Sequence, residues 1–457
     1  MSDDRPGDQQ PEGDPNQPQN PFEALFGPGG MESLFGGAGT GAEGLAEFMQ
    51  GLQNMFSGLG LGGTAEVSGS GVNWATTKDL VRRQVAALGT DPSPSDADRR
   101  AVTEAVGLAD TWLDQATDLP RVSGPAATWS RAEWVEQTMP VWQRLVEPVA
   151  ASIADAMADS LTFGEPAEDL GPLAGMHELL RPMLRQSGGA MFSHQLAQAL
   201  GQLATEVLGS TDIGLPLDDG HRVALVPVNV AAFGEGLAES ATDVQLYVAL
   251  RESARQRLFA HAPWLGPHLL ALVEEYAHGI TIDTSALESA VGEMDPASID
   301  PAALQELSDQ LQGQLFTSHK TPEQLATLER LETMLALVEG WVDEVVSQAT
   351  SKWMPSAVAL AEAMRRRRAT GGPAEATFAT LVGLELRPRR MRDAANLWAA
   401  MRDARGAAER DAVWAHPDLL PRSSALDDPM GYVKGETDDN EELDLDAELR
   451  KLLDDQE

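Results

Sequence analysis

A chain of 457 residues, 42% of them hydrophobic, is long enough to bury one large core or two smaller ones. Its formal net charge of -38 argues against nucleic acid or an anionic membrane surface as a partner, since both would repel it overall. With zero cysteines the chain has no disulfides, thiolate metal sites or cysteine nucleophile, and His and carboxylate are left as the strong metal ligands.

The first residues, MSDDRPGDQQ, are acidic and polar where a signal peptide opens basic and then apolar. No run of about 18 apolar residues is present to span a bilayer, so a cytoplasmic location is expected. Residues 1–71 are rich in Gly, Pro, Gln and acidic side chains, a composition that predicts disorder. Within them Leu45, Phe48, Met49, Leu52, Met55 and Phe56 fall at helical spacing. Residues 45–56 are therefore the candidate for docking on a protein or peptide partner, or on the chain's own surface.

From Trp74 to Thr205 the apolar spacing predicts amphipathic helices, carried by Leu80, Val81, Val85 and Leu88 and then by Trp134, Met139–Trp142 and Leu145, with Pro120, Pro140 and Pro172 as punctuation. A small-residue helix is expected over Ala190–Leu208, where Ala197, Gly201 and Ala204 let a neighbour come close and His194 packs. Thr211–Leu217 interrupts the helical pattern, and His221–Val230, HRVALVPVNV, is the one strand signal, with Pro227 making it an edge strand or ending it early. Helices are predicted again from Asp243 to Thr350, across a turn-rich connector at Met294–Pro301 and a helix start at Thr321-Pro322-Glu323. Arg365–Arg368 is expected to complement a helix C-terminus and stay solvated, ahead of a break at Gly371-Gly372-Pro373. The last helical region should end near Leu420, and residues 429–457 form an acidic tail.

The chemistry concentrates in Leu246–Leu265, which contains Arg251-Glu252-Ser253-Ala254-Arg255. This has the frame of His-Glu-x-x-His, in which two imidazoles four residues apart bind zinc from one helical face and the Glu activates water. Here the Glu is kept and both ligand positions are guanidinium, which stays protonated and has no lone pair to give. Further on, Glu339 and Asp343 stand one turn apart and share a helical face.

These segments, with GSTDIGLPL (Gly209–Leu217), Leu337–Val345, Leu386–Trp398 and Arg410–Pro421, resemble in their order the actinobacterial zincin-like hydrolases described as zinc-dependent metalloproteases and related to proteins associated with deazaflavin-cofactor biosynthesis. The resemblance implies a mostly α, zincin-like helical domain over 72–428 with a minor β element, Glu252 as general base and Glu339 as third metal ligand. The related branch keeps His-Glu-x-x-His, and the branch most similar to this chain carries Arg at the position of Arg251 and commonly His at that of Arg255.

Two functions are compatible with these residues. One is a homologue with a degenerate zinc motif at Arg251 and Arg255, acting as a binding or regulatory protein with no cofactor. The other is an active zinc-dependent metallopeptidase using Glu252 as base. A rearranged metal site would draw on His261 with His268 or His278, although Pro263 breaks the helix that would align them. If no metal is held, the two arginines either join Glu252 and Glu339 in a buried ion network or face solvent.

Overall fold

The structure is a computed structural model, and it describes residues 70–159, 172–218, 222–278, 321–369, 373–382, 384 and 390–435. The segment 45–56, the connector at 294–301, His221 and the residues from 436 onward lie outside these. Among the described residues no helix is long and apolar enough to cross a membrane.

Capping side chains set several helix starts. Asn73 accepts from the Thr76 amide to open α1 (Trp74–Leu88), which buries Thr77, Val81 and Val85 at a spacing of four. Ser95 and Asp98 form a reciprocal capping box at the start of α2 (Asp96–Leu113). The long helices α3 (Arg131–Asp159) and α4 (Pro172–Glu206) follow and pack on each other and on α1. Gly201 makes the α1–α4 approach possible, since a Cβ there would stand 2.4 Å from Gln84 Cγ.

Pro140 does not punctuate the chain as expected, because both Pro140 and Pro148 lie inside α3. A proline in a helix interior costs about 3 kcal/mol through its missing N–H and its ring clash. The buried side chains of Trp134, Val135, Met139, Trp142, Leu145, Val146 and Val149 on the same helix offset that cost.

The predicted strand shrinks to Ala224–Leu225 (β2), which pairs in parallel with Ala127–Thr128 (β1), a segment with no alternation to mark it. Pro227 ends the strand by opening α5 (Pro227–Gly234) as its first residue. The chain is thus mostly helical with a small two-stranded sheet.

α6 (Ala241–His261) runs through the interior and packs on α2, α5 and α8 (Pro322–Thr350). Between α6 and α8 in sequence comes α7 (Leu265–His278), after the break at Pro263. Thr321 and Gln324 cap α8 reciprocally, at the predicted helix start. α8 is set against α11 (Met391–Arg405) by Gly340, where a Cβ would meet Ala394 Cβ at 2.6 Å, and by a 2.9 Å bond from Trp398 Nε1 to the Leu337 carbonyl. Between them come α9 (Ala357–Ala369) and α10 (Pro373–Val382). After α11 the described chain closes with α12 (Ala407–Ala412), three short 3-10 turns and α13 (Pro429–Lys434).

Candidate functional site

Every residue of α6 from Leu246 to Phe259 is buried, including Arg251, Glu252, Arg255, Gln256 and Arg257. A helix with charges on all sides and no solvent face must satisfy each charge internally. Arg251 and Arg255 do so across the helix interface with α8. Arg255 Nε donates to Glu339 Oε1 at 2.6 Å, while Arg255 Nη2 and Arg251 Nη2 reach Oε2 at 3.1 and 2.9 Å. Arg251 Nη1 also donates to Asp343 Oδ1. Two pairs of side chains, each four residues apart on its own helix, thus meet face to face.

Glu252 belongs to a different arrangement. Its Oε1 accepts from the Ser210 hydroxyl at 2.6 Å and the Thr211 amide at 3.0 Å, and its Oε2 accepts from the Thr211 hydroxyl at 2.8 Å. Gln256 Nε2 supports Ser210 Oγ at 2.9 Å. The contact to the arginines is looser, with Arg255 Nη1 at 3.7 Å from Glu252 Oε2. Gly209 permits this approach, because a Cβ there would sit 2.8 Å from Glu252 Cδ and 2.7 Å from the Ala224 carbonyl. At the other end of the loop Gly214, with φ +81, turns the chain beside Glu339. The loop that breaks the helical pattern therefore wraps both carboxylates.

The run Arg365–Arg368 divides, contrary to the expectation that it stays solvated. Arg365 and Arg366 are exposed, as expected, and pair with Glu362, but Arg367 and Arg368 turn inward. Arg367 Nη2 donates to Asp212 Oδ2 at 2.9 Å and to the Glu206 carbonyl at 2.7 Å. Arg368 Nη2 lies 2.7 Å from Glu339 Oε2 as an ion pair off the hydrogen-bonding direction. The reason is local demand, since buried Asp212 and Glu339 need countercharge more than the helix end does. The centre has four guanidiniums, of Arg251, Arg255, Arg367 and Arg368, and four carboxyls, of Asp212, Glu252, Glu339 and Asp343. Asp343, Arg367 and Arg368 form its rim, with side chains 22%, 17% and 13% exposed.

Protonation follows from these neighbours. Burial alone would raise the Glu339 carboxyl, but Arg255, Arg368 and Arg251 outweigh it and hold Glu339 far below the usual carboxylate range. Burial would lower Arg251 and Arg255, yet Asp343 on the first and Glu339 on the second raise both. Glu252 goes the other way, because burial raises it beyond what Arg255, Ser210 and Thr211 recover.

The structure thus brings together Arg251, Arg255 and Glu339, with Glu252 beside them, and of the two metal-free arrangements for the arginines it has the buried network. His261 and His278 stand apart and exposed, with Nδ1 of each paired to the carbonyl four residues back, Arg257 and Glu274. His268 packs edge-on to Trp264. His194, expected to pack, is exposed and contacts Gln198. Residue types in sequence pointed to none of Ser210, Thr211, Asp212, Arg367 or Arg368, although the loop Gly209–Leu217 stood out as a motif. As a donor set for zinc the centre does not fit, because two protonated guanidiniums stand in the imidazole positions and fill both oxygens of Glu339. Among the described residues no group of three or more His, Cys, Asp or Glu is placed to hold a metal ion.

A family model described as zincin-like metallopeptidase matches residues 72–433. The chain is also similar in fold to a crystal structure from Chloroflexus aurantiacus described as a putative hydrolase with a novel fold, at 19% identity and a TM-score of 0.54, covering 79% of this chain and 97% of that one. The comparison with curated proteins finds no match.

Proposed function

The chain belongs to the zincin-like metallopeptidase family, and on that premise we propose that it is a non-catalytic member in which the hydrolytic centre has become an ion network and the protein works by binding or regulation. The observation that carries this reading is the pairing of Arg251 and Arg255 with Glu339. Peptide hydrolysis by a zincin needs a metal to polarise the carbonyl and a carboxylate free to take a proton from water. Here the carboxylate of the frame, Glu252, already accepts three hydrogen bonds from Ser210 and Thr211. A partner would be a protein or peptide, met through residues 45–56, in the cytoplasm. The finer placement, in the actinobacterial branch with its link to deazaflavin-cofactor biosynthesis, rests on motif order alone.

Metal analysis of the purified protein tests the reading. The expected result is no stoichiometric zinc and no metal-dependent peptidase activity. About one zinc per chain that survives mild chelation would overturn it in favour of an active metallopeptidase with Glu252 as general base.

A further inference from the structure

We infer that Arg251 and Arg255 together serve as the fixed internal cation of this fold, cross-linking α6 to α8 through Glu339 and Asp343 at the point where a His-Glu-x-x-His helix would hold its metal. Arg251 and Arg255 together carry the two positive charges that a divalent ion would bring to Glu339 and Asp343, and Arg368 adds a third charge at the rim beside Glu339 Oε2. The geometry is also that of a shared centre rather than of separate pairs. Glu339 Oε2 receives both arginines, and Arg251 reaches Asp343 with its other amino group, so no one contact can be removed without altering the rest.

Helix spacing gives the second argument. Residues 251 and 255 project from one face of α6 for the same reason that two ligating histidines would. Glu339 lies opposite that face on α8, at a distance the longer arginine side chains span directly. A metal exchanges with solvent and is removed by chelators, whereas this cation is part of the chain. The arrangement therefore makes the α6–α8 contact independent of metal supply, and Arg368 from α9 adds a third helix to it.

The alternative is an ordinary buried ion pair whose side chains matter for packing alone. Apolar residues of similar volume often replace such pairs without loss. The two differ in what a charge-conserving substitution does.

The inference rests on the non-catalytic reading, but the two fail separately. Metal analysis of the parent decides that reading, and variants decide this one. In the first experiment Arg251→His, Arg255→His is titrated with zinc alone, by calorimetry and by melting. Zinc and chelator should leave the parent's melting temperature unchanged. Zinc should raise that of the variant by several degrees, with affinity at least about tenfold above the parent, and a further Glu339→Ala should remove most of the gain. A folded variant that zinc neither binds nor stabilises overturns the inference. If the double variant does not fold even with zinc, Arg255→Lys and Arg255→Met decide the matter. The lysine variant, which keeps the charge, should melt above the methionine variant. A methionine variant that melts as high or higher overturns the internal-cation role.

Discussion

The Ser210 hydroxyl donates to Glu252 Oε1 over 2.6 Å, a bond that ties the loop after α4 to the buried helix α6. Together with the two bonds from Thr211 it makes Glu252 an anchor for the backbone that runs on to Gly214 beside Glu339. Glu252→Ala would leave the Ser210 hydroxyl and the amide and hydroxyl of Thr211 without their acceptor while Arg255 keeps Glu339, and should cost about 3 kcal/mol of unfolding free energy. Glu252→Gln keeps a carbonyl acceptor and should cost less than half of that. Denaturant unfolding gives both values, and hydrogen exchange at the Thr211 amide should quicken in the alanine variant. A cost under about 0.5 kcal/mol for Glu252→Ala would remove the anchoring role.

Two glycines give a matched contrast. Gly209→Ala places a Cβ 2.8 Å from Glu252 Cδ and 2.7 Å from the Ala224 carbonyl, the second of which is backbone that cannot easily yield. The substitution should cost about 1–3 kcal/mol through overpacking. Gly107 lies exposed inside α2, and a Cβ there would meet nothing within 4 Å, so Gly107→Ala should stabilise by about 0.5–1 kcal/mol through helix propensity. Equal effects in thermal unfolding would mean that the approach of the loop to Glu252 does not govern the position.

The helical architecture was legible because amphipathic spacing and helix-start signals are local, as at Thr321 and the stripe of Val81 and Val85. The Arg251 frame and the i, i+4 pair of Glu339 and Asp343 were legible for the same reason. What completes the centre is not local. Asp212 and Arg367 are 155 residues apart, and neither residue type announces a buried role. α6 carries charges around its whole circumference, a pattern that reads as solvated until partners from α8, α2 and the loop are known. Pro140 misled for a related reason, since its penalty is local while the burial of Trp134 and Trp142 that offsets it comes from tertiary packing.

The divided arginine run can be tested residue by residue. Arg366 has a side chain 71% exposed, so Arg366→Ala should change stability by no more than about 0.5 kcal/mol. Arg368→Ala removes a countercharge 2.7 Å from Glu339 and should cost about 1–3 kcal/mol, reduced from the fully buried case by its position on the rim. Raising salt should narrow the small Arg366 effect and leave most of the Arg368 effect in place. Indistinguishable alanine variants would return Arg368 to the solvated face.

Glu339 gives the sharpest pH test. Its carboxyl is held well below its unfolded value of 4.5 because Arg255, Arg368 and Arg251 outweigh the effect of burial. A carboxyl depressed on folding contributes stability that is fully present above its unfolded pKa and is lost as pH falls toward the folded one. Glu339→Gln has no proton to gain over that range, so the cost of the substitution measures the carboxylate's contribution at each pH. At pH 7 it should be about 3–5 kcal/mol, the cost of breaking a buried pair from one side. Below pH 4.5 it should shrink by about 1.4 kcal/mol for each pH unit, since the unfolded parent then takes up a proton that the folded parent refuses. Urea unfolding of parent and variant between pH 7 and pH 3 measures the difference directly, and carboxyls common to both proteins cancel to first order. A cost that stays constant from pH 5 to pH 3 would mean that Glu339 is not held ionised by the three arginines.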